Sequence, residues 1–322
     1  MTTPYALAFA RHETFHPRYG WLRKAVIASG TDSAVFVAPD ATVTLGVGKN
    51  MVRAMRYWGR ACGVLQDAPL TGRPRLSGVM PSPLGLFLLG PEGADPYLEE
   101  LASLWILHWQ LTRRGSQAPV WFLAFNRFPH RDFDDELLVD WLIREVAVDG
   151  ATNLARSSIE KDVSCLLRMY GPVATDAPET LVSPFAALRL IDRIDGKPVQ
   201  HRITYGPKSG LPPELVALVA IELMRSEDAA TRSTGIAHLA TAEASPGRIF
   251  ALSENELVAA LDDARRHVRG FSIGVFAGAR ALILEAEPEQ LMARLLARLY
   301  PVRPFDLTAD DLARPVPADR TA

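Results

Sequence analysis

Apolar residues recur at helical spacing through most of the chain, interrupted by short alternating runs that suit strands. The clearest helix covers residues 49–62, where Val52, Met55, Gly59 and Cys62 return every three or four positions and define an inward face. Gly48 precedes it as a tolerable N-cap, and Gly63 follows it as a natural left-handed stop. Residues 19–28 predict an earlier helix ending before Gly30, and a turn at 45–47 separates a second helical element from Lys49. Val64 and Leu65, a polar turn holding Arg73 and Arg75, and a returning strand at 76–80 predict a hairpin. Helix, helix, helix, hairpin is the order of a winged-helix unit.

The pattern recurs more faintly downstream. The proline- and glycine-rich stretch 81–96 reads as the exit from the first block. Helices are predicted at 137–146 and 157–170, the second opening with a capping box between Ser157 and Glu160. Residues 213–224 predict another helix. Ser253 and Glu256 cap a further one reaching about Val268, and 271–284 read as a hairpin turning near Gly278. The predicted fold is mainly α with short β-hairpins (α+β), in tandem winged-helix-like units. The expected organisation is an N-terminal DNA-binding unit at 1–90 and a helical middle domain at 91–186, itself open to reading as a second helix-turn-helix. A C-terminal winged-helix-like unit at 187–300 and a poorly ordered tail at 301–322 complete it. All six tryptophans precede position 142, so the first two blocks carry the heavy aromatic packing.

With 48% hydrophobic and 22% charged residues over 322 positions, the chain has ordinary globular composition and length for two or three cores. Its net charge of -2 and pI of about 6.4 give no global field for nucleic acid, so any DNA contact must come from a local patch. Cys62 and Cys165 lack a CxxC or Cys/His partner and read as reduced core thiols. The first residues have no basic region followed by an apolar core, so no secretory signal is expected. No apolar run approaches the roughly 20 residues of a membrane span, and a cytoplasmic location is expected.

The local patch is on the helix at 49–62. Lys49, Arg53, Arg56 and Arg60 fall at spacings of four, three and four, which sets them on one outward stripe. No acidic residue interrupts the sequence between Asp40 and Asp67, so the stripe repels itself unless phosphates neutralise it. Lys49 and Asn50 fall in the first turn, where helix-turn-helix proteins touch base edges, and Asn can pair bidentately with adenine. The alternative is a solvated surface helix, the usual fate of a charge stripe. Residues 46–49 resemble a phosphate loop only in part, because Val43 and Asn50 stand where that motif needs glycine and Ser or Thr. Around the second hairpin, Arg265, Arg266, Arg269 and Arg280 are expected along one edge, with DNA or protein as the contact left open.

Several motifs in register are familiar: residues 11–24, 46–51, 95–98, 104–109 and 161–163, with a fainter match at 245–250. Together they resemble the SspB-type component of the bacterial single-strand DNA phosphorothioation system, over much of residues 8–190. The resemblance implies a role in antiphage DNA marking. An SspB-type protein nicks one strand in a short sequence context so that sulfur can replace a non-bridging phosphate oxygen. It further implies three companions: a cysteine desulfurase, a sulfur-transfer ATP pyrophosphatase and an ATPase.

Nicking is phosphodiester hydrolysis, which ordinarily uses water activated by a divalent metal, here Mg2+ or Mn2+, on carboxylate or imidazole ligands. Asp192, Asp195 and Lys197 have a nuclease-like spacing but read better as a solvated turn before Pro198. His108, Asn126 and His130 have the letters of an HNH site, yet His108 sits between two tryptophans and reads as a packed histidine. Asp132, Asp134, Asp135 and Glu136 suit the N-terminus of the following helix. The catalytic candidates are His12 and Glu13, an imidazole and a carboxylate side by side, with Arg18 and Lys24 nearby as phosphate contacts. A structural role for the same segment, with Arg18 packed on Tyr19 or Trp21, stands beside that reading. A DNA-nicking endonuclease, a non-catalytic winged-helix adaptor that recruits modification enzymes, and a protein-interaction scaffold are the functions to separate. Assembly as a homodimer is left open.

Overall fold

Helices followed by an antiparallel two-stranded hairpin occur three times along the chain in a computed structural model, which describes residues 3–70, 77–150, 154–172, 182–276 and 278–313. In the first, α1 (Trp21–Thr31), α2 (Ala41–Leu45) and α3 (Lys49–Ala61) lead into an antiparallel hairpin of β1 (Leu65–Pro69) and β2 (Ser77–Pro81), with Asp67 opposite Val79. The Ser33 carbonyl, just after α1, accepts a hydrogen bond from the Val79 N–H at 2.9 Å, so the chain between α1 and α2 already touches the hairpin's second strand. Gly63 ends α3 as its spacing predicts. It lies at φ 70°, its N–H bonds the Arg60 carbonyl, and the Val64 N–H bonds that of Gly59, which is a Schellman closure. Helix α1 runs through Gly30 rather than stopping before it. The turn with Arg73 and Arg75 lies outside the described residues.

The expected exit at 81–96 is instead partly helical. Pro83 occupies the first turn of α4 (Pro83–Leu89), where a missing N–H costs nothing, and the Ser82 hydroxyl accepts from the Gly85 N–H at 2.9 Å. Leu84, Phe87, Leu88 and Leu89 are buried. Two strongly apolar helices follow, α5 (Leu101–Thr112) and α6 (Pro119–Asn126), each buried on nearly all sides.

The second stretch runs β3 (Asp132–Phe133), α7 (Asp135–Val148), α8 (Arg156–Tyr170), a 3-10 turn at Pro184–Leu188, then β4 (Ile191–Ile194) and β5 (Gln200–Ile203). The third runs α9 (Pro213–Glu227), β6 (Ser233–Gly235), α10 (Ile236–Thr241), α11 (Pro246–Ile249), α12 (Glu254–His267), β7 (Phe271–Phe276) and β8 (Ala279–Leu284). Strand order is β3-β5-β4 in one sheet and β6-β8-β7 in the other: the strand before the helices pairs with the second strand of the hairpin. The boundary expected at 186 falls between α8 and the two strands that complete its sheet. The Ser253–Glu256 capping box is present. That of Ser157 and Glu160 is not, because α8 starts earlier at Arg156, which bonds Glu160 one turn on. Past α13 (Pro288–Leu299), part of the expected tail at 301–322 is packed: α14 (Ala309–Ala313) closes the described chain, with Leu307 and Leu312 buried.

One continuous core joins these stretches. Trp58, Trp105, Trp109, Trp121, Tyr170 and Phe250 are fully buried. His108 is a core group: its Nδ1 lies 2.7 Å from the Tyr170 hydroxyl and its Nε2 2.8 Å from the Ile249 carbonyl, which a neutral ring satisfies on both sides. Burial pushes its pKa down to about 4. Asn126 likewise donates to the Thr112 and Phe122 carbonyls and accepts from the Ala244 N–H. At the surface of this core Arg127 binds Glu145, Asp149 and Glu243, while the Tyr5 hydroxyl donates to Asp149. Among the described residues, no helix is long and apolar enough to cross a membrane. Both cysteines are free and buried.

Candidate nucleic-acid interface

Helix α3 buries Val52, Ala54, Met55, Trp58 and Gly59 and turns its other side outward. A Cβ on Gly59 would meet the Leu65 side chain at 2.5 Å, so a glycine is what lets α3 lie close on β1. Lys49 and Asn50 are exposed in the first turn. The Arg53 side chain is 56% exposed, with its Nη1 3.2 Å from Glu13. Arg56 is half-buried and donates to the Ser77 carbonyl at 3.0 Å. Arg60 departs from the expected outward stripe. Its side chain is 5% exposed and pairs with Asp67 at 2.9 Å, because β1 lies over the last turn of the same helical face. The surface stripe is therefore Lys49, Arg53 and Arg56.

Glu13 reaches Arg53 because residues 10–15 form a tight turn. Ala10, Glu13 and Thr14 have φ of 54°, 51° and 67°, a left-handed region that side chains disfavour by about 1–2 kcal/mol each. Contacts from two helices hold the turn. Asp162 of α8 accepts from the Ala10 N–H and sits 2.5 Å from His12 Nε2, Arg168 donates to the Thr14 carbonyl, and the Trp58 indole donates to that of Phe15. Burial pushes the Asp162 carboxyl above the usual carboxylate range, opposed by the bonds from His12 and Ala10.

His12 and Glu13 consequently part ways. The His12 ring is fully buried, stacked at 5.9 Å on Trp58 with Trp121 at its edge, and its Nδ1 has no hydrogen-bond partner among the described residues. Glu13 faces outward into a cavity. The side-by-side pair expected from sequence adjacency is not formed, since consecutive residues of this turn point to opposite sides of it. Arg18 and Lys24 are also engaged within the protein. The Arg18 guanidinium lies 5.3 Å over Trp21 and 5.6 Å over Phe15, and Lys24 donates to the Leu45 carbonyl at the end of α2.

The cavity Glu13 faces has a volume of about 430 Å³. Among the described residues, Arg11, Arg53, Arg56 and Arg60 line it with the carboxylate of Glu13, Arg60 being paired with Asp67, and Ala6, Ala8, Phe36, Val37 and Tyr57 supply apolar wall. Tyr57 donates to the Gln117 carbonyl, and burial pushes its phenol well above the ordinary range, so it stays neutral. Such a site attracts anions. Sequence patterning finds Arg53, Arg56 and Arg60 but misses Arg11, Phe36 and Tyr57, which come from the N-terminal arm, the α1–α2 connection and the inner edge of α3. Among the described residues, no group of three or more His, Cys, Asp or Glu side chains is gathered to hold a metal ion.

Residues 9–300 match a family model described as "Protein of unknown function (DUF4007)". No curated protein matches the chain. Two solved structures do. One is described as "Magnesium ion-bound SspB crystal structure"; it is 34% identical, covers 98% of this chain and 95% of that one, and has a TM-score of 0.87. The other, "SspB crystal structure", is 35% identical, covers 96% and 94%, and has a TM-score of 0.86. The chain belongs to the DUF4007 family and is an SspB-type protein.

Proposed function

We propose that this protein is the DNA-engaging and strand-nicking component of a phosphorothioation system, and that α3 with its adjoining cavity is the DNA contact. The observation that carries the DNA contact is the cationic face of α3 itself. Lys49, Arg53 and Arg56 reach the surface from a helix with no acidic residue. We read all three repeated stretches as winged-helix units, with α3, α8 and α12 in the recognition-helix position. The other two carry acidic residues beside their arginines on the same helix: Arg156 of α8 binds Glu160 along with Glu136 and Asp140 of α7, while Arg265 and Arg266 of α12 pair with Asp262 and Asp263. Charge balance of that kind suits protein contact better than phosphate. Lys49 and Asn50 would meet base edges, and Arg53 and Arg56 the backbone.

Strand nicking comes from the likeness to SspB, with the cysteine desulfurase, sulfur-transfer ATP pyrophosphatase and ATPase as companions acting on the nicked strand. Magnesium is bound in one of the similar structures, which supports Mg2+ or Mn2+ as the ion supplied for hydrolysis. Among the described residues, no three-ligand set of His, Cys, Asp or Glu side chains is gathered for it. Supercoiled plasmid incubated with purified protein and Mg2+ or Mn2+ should become open circle, and EDTA should prevent it. Plasmid that is bound yet stays supercoiled with every companion present would reduce the protein to an adaptor; plasmid that is not bound at all would overturn the proposal.

A further inference from the structure

We infer that the cavity beside α3 takes one unpaired deoxynucleotide drawn out of the duplex, a substrate class that rests on the DNA-engaging role proposed above. Contact with the backbone of paired DNA alone needs cations on an open surface. Here they surround a hollow of about 430 Å³, within the roughly 300–1,000 Å³ of small-molecule sites.

The lining divides by chemistry into two parts that match the two parts of a nucleotide. Arg11 and Arg53, the exposed arginines of the lining, offer planar forks to a phosphate, which a guanidinium can grip through two oxygens at once. Phe36, Val37, Ala8 and the neutral Tyr57 ring offer a surface for a flat base, whose faces stack on aromatic and guanidinium planes. A pocket for bare phosphate has no use for that apolar wall. Glu13 also fits, as an acceptor for the N–H edge of a base. Its pair with Arg53 at 3.2 Å is partly solvent-exposed, hence weak and exchangeable.

Position agrees with chemistry. Asn50 and Arg56 are six residues apart on one helix, about 9 Å along its axis at 1.5 Å per residue. A nucleotide leaving the stack two or three base steps from the contact of the first turn would arrive at the cavity. Opening the stack costs least where a base is already unpaired, which provides the test.

Anisotropy should be measured with a labelled duplex carrying one bulged nucleotide and with the same duplex fully paired. The expected result is at least about tenfold tighter binding of the bulged duplex, since the cost of unstacking and unpairing is removed. Ala8→Trp and Val37→Trp fill the hollow from two walls without removing a charge, and each should bring the ratio close to one at an unchanged melting temperature. Free deoxyadenosine 5′-monophosphate at saturation should collapse the same ratio in the unmodified protein, a readout that needs no variant. Equal affinity for the two duplexes, or a ratio that survives the nucleotide or either folded variant, would overturn the inference while salt-sensitive binding to both left the DNA-engaging role standing. Loss of that role looks different: neither duplex binds.

Discussion

Arg53 and Arg60 occupy the same face of the same helix and do different work. Arg60 is buried with Asp67 as its partner, so Arg60→Ala strands a part-buried carboxylate and should lower stability by about 3 kcal/mol. Arg53→Ala removes an exposed pair and should change stability by less than about 1 kcal/mol. Urea unfolding of the two variants checks the contrast, and equal losses would contradict the burial of Arg60. The same logic applies to His12. Its ring is packed among Tyr57, Trp58 and Trp121 and bonded to Asp162, which in turn holds the strained turn at Ala10. Asp162→Ala should therefore cost about 3 kcal/mol by leaving the buried imidazole and the Ala10 N–H without their acceptor. It should also loosen the turn that presents Glu13. A calorimetric melting temperature within a degree of the unmodified protein would contradict that role.

At the scale of elements, α3 depends on its stop as much as on its charges. Gly63→Ala forces a side chain into the left-handed region at φ 70° and against Gln110, and should lower the unfolding free energy by about 1–2 kcal/mol. Much of this element was legible beforehand. Gly48, the spacing of Val52, Met55 and Cys62, the closing glycine and the following hairpin are all local signals. So is the Ser253–Glu256 capping box. What was not legible depends on distant chain. The burial of Arg60 requires knowing that β1 covers the end of the stripe. The pairing of β3 with β5 joins Asp132 to Arg202, and nothing local announces it. Residues 81–96 looked like a connection because of their prolines, yet Pro83 at the first turn starts α4 rather than breaking it. His12 and Glu13 look like a pair only while the left-handed turn between them is unknown.

Over the whole molecule, three similar arrangements share one core, and buried polar groups mark where they meet. His108 bonds α8 through Tyr170 and α11 through Ile249, and it does so only as the neutral ring. Its folded pKa of about 4 lies below the ordinary 6.5. Unfolded chain therefore binds a proton first as pH falls, so stability is full above about 6.5 and is lost as pH drops toward 4. The contribution at stake is about 3 kcal/mol at 1.36 kcal/mol per unit. Unfolding free energies across that window should fall more steeply for the unmodified protein than for His108→Phe, which starts lower but no longer titrates there. Parallel slopes would remove His108 from the acid response.

The central claim is that α3 meets DNA phosphate through Arg53 and Arg56, and the salt dependence of duplex affinity tests it most directly. Each phosphate contact contributes about 0.9 to the slope of log affinity against log salt. The Arg53→Ala, Arg56→Ala double variant should bind every duplex more weakly, with a slope shallower by about 2. An affinity and slope identical to those of the unmodified protein would contradict the account.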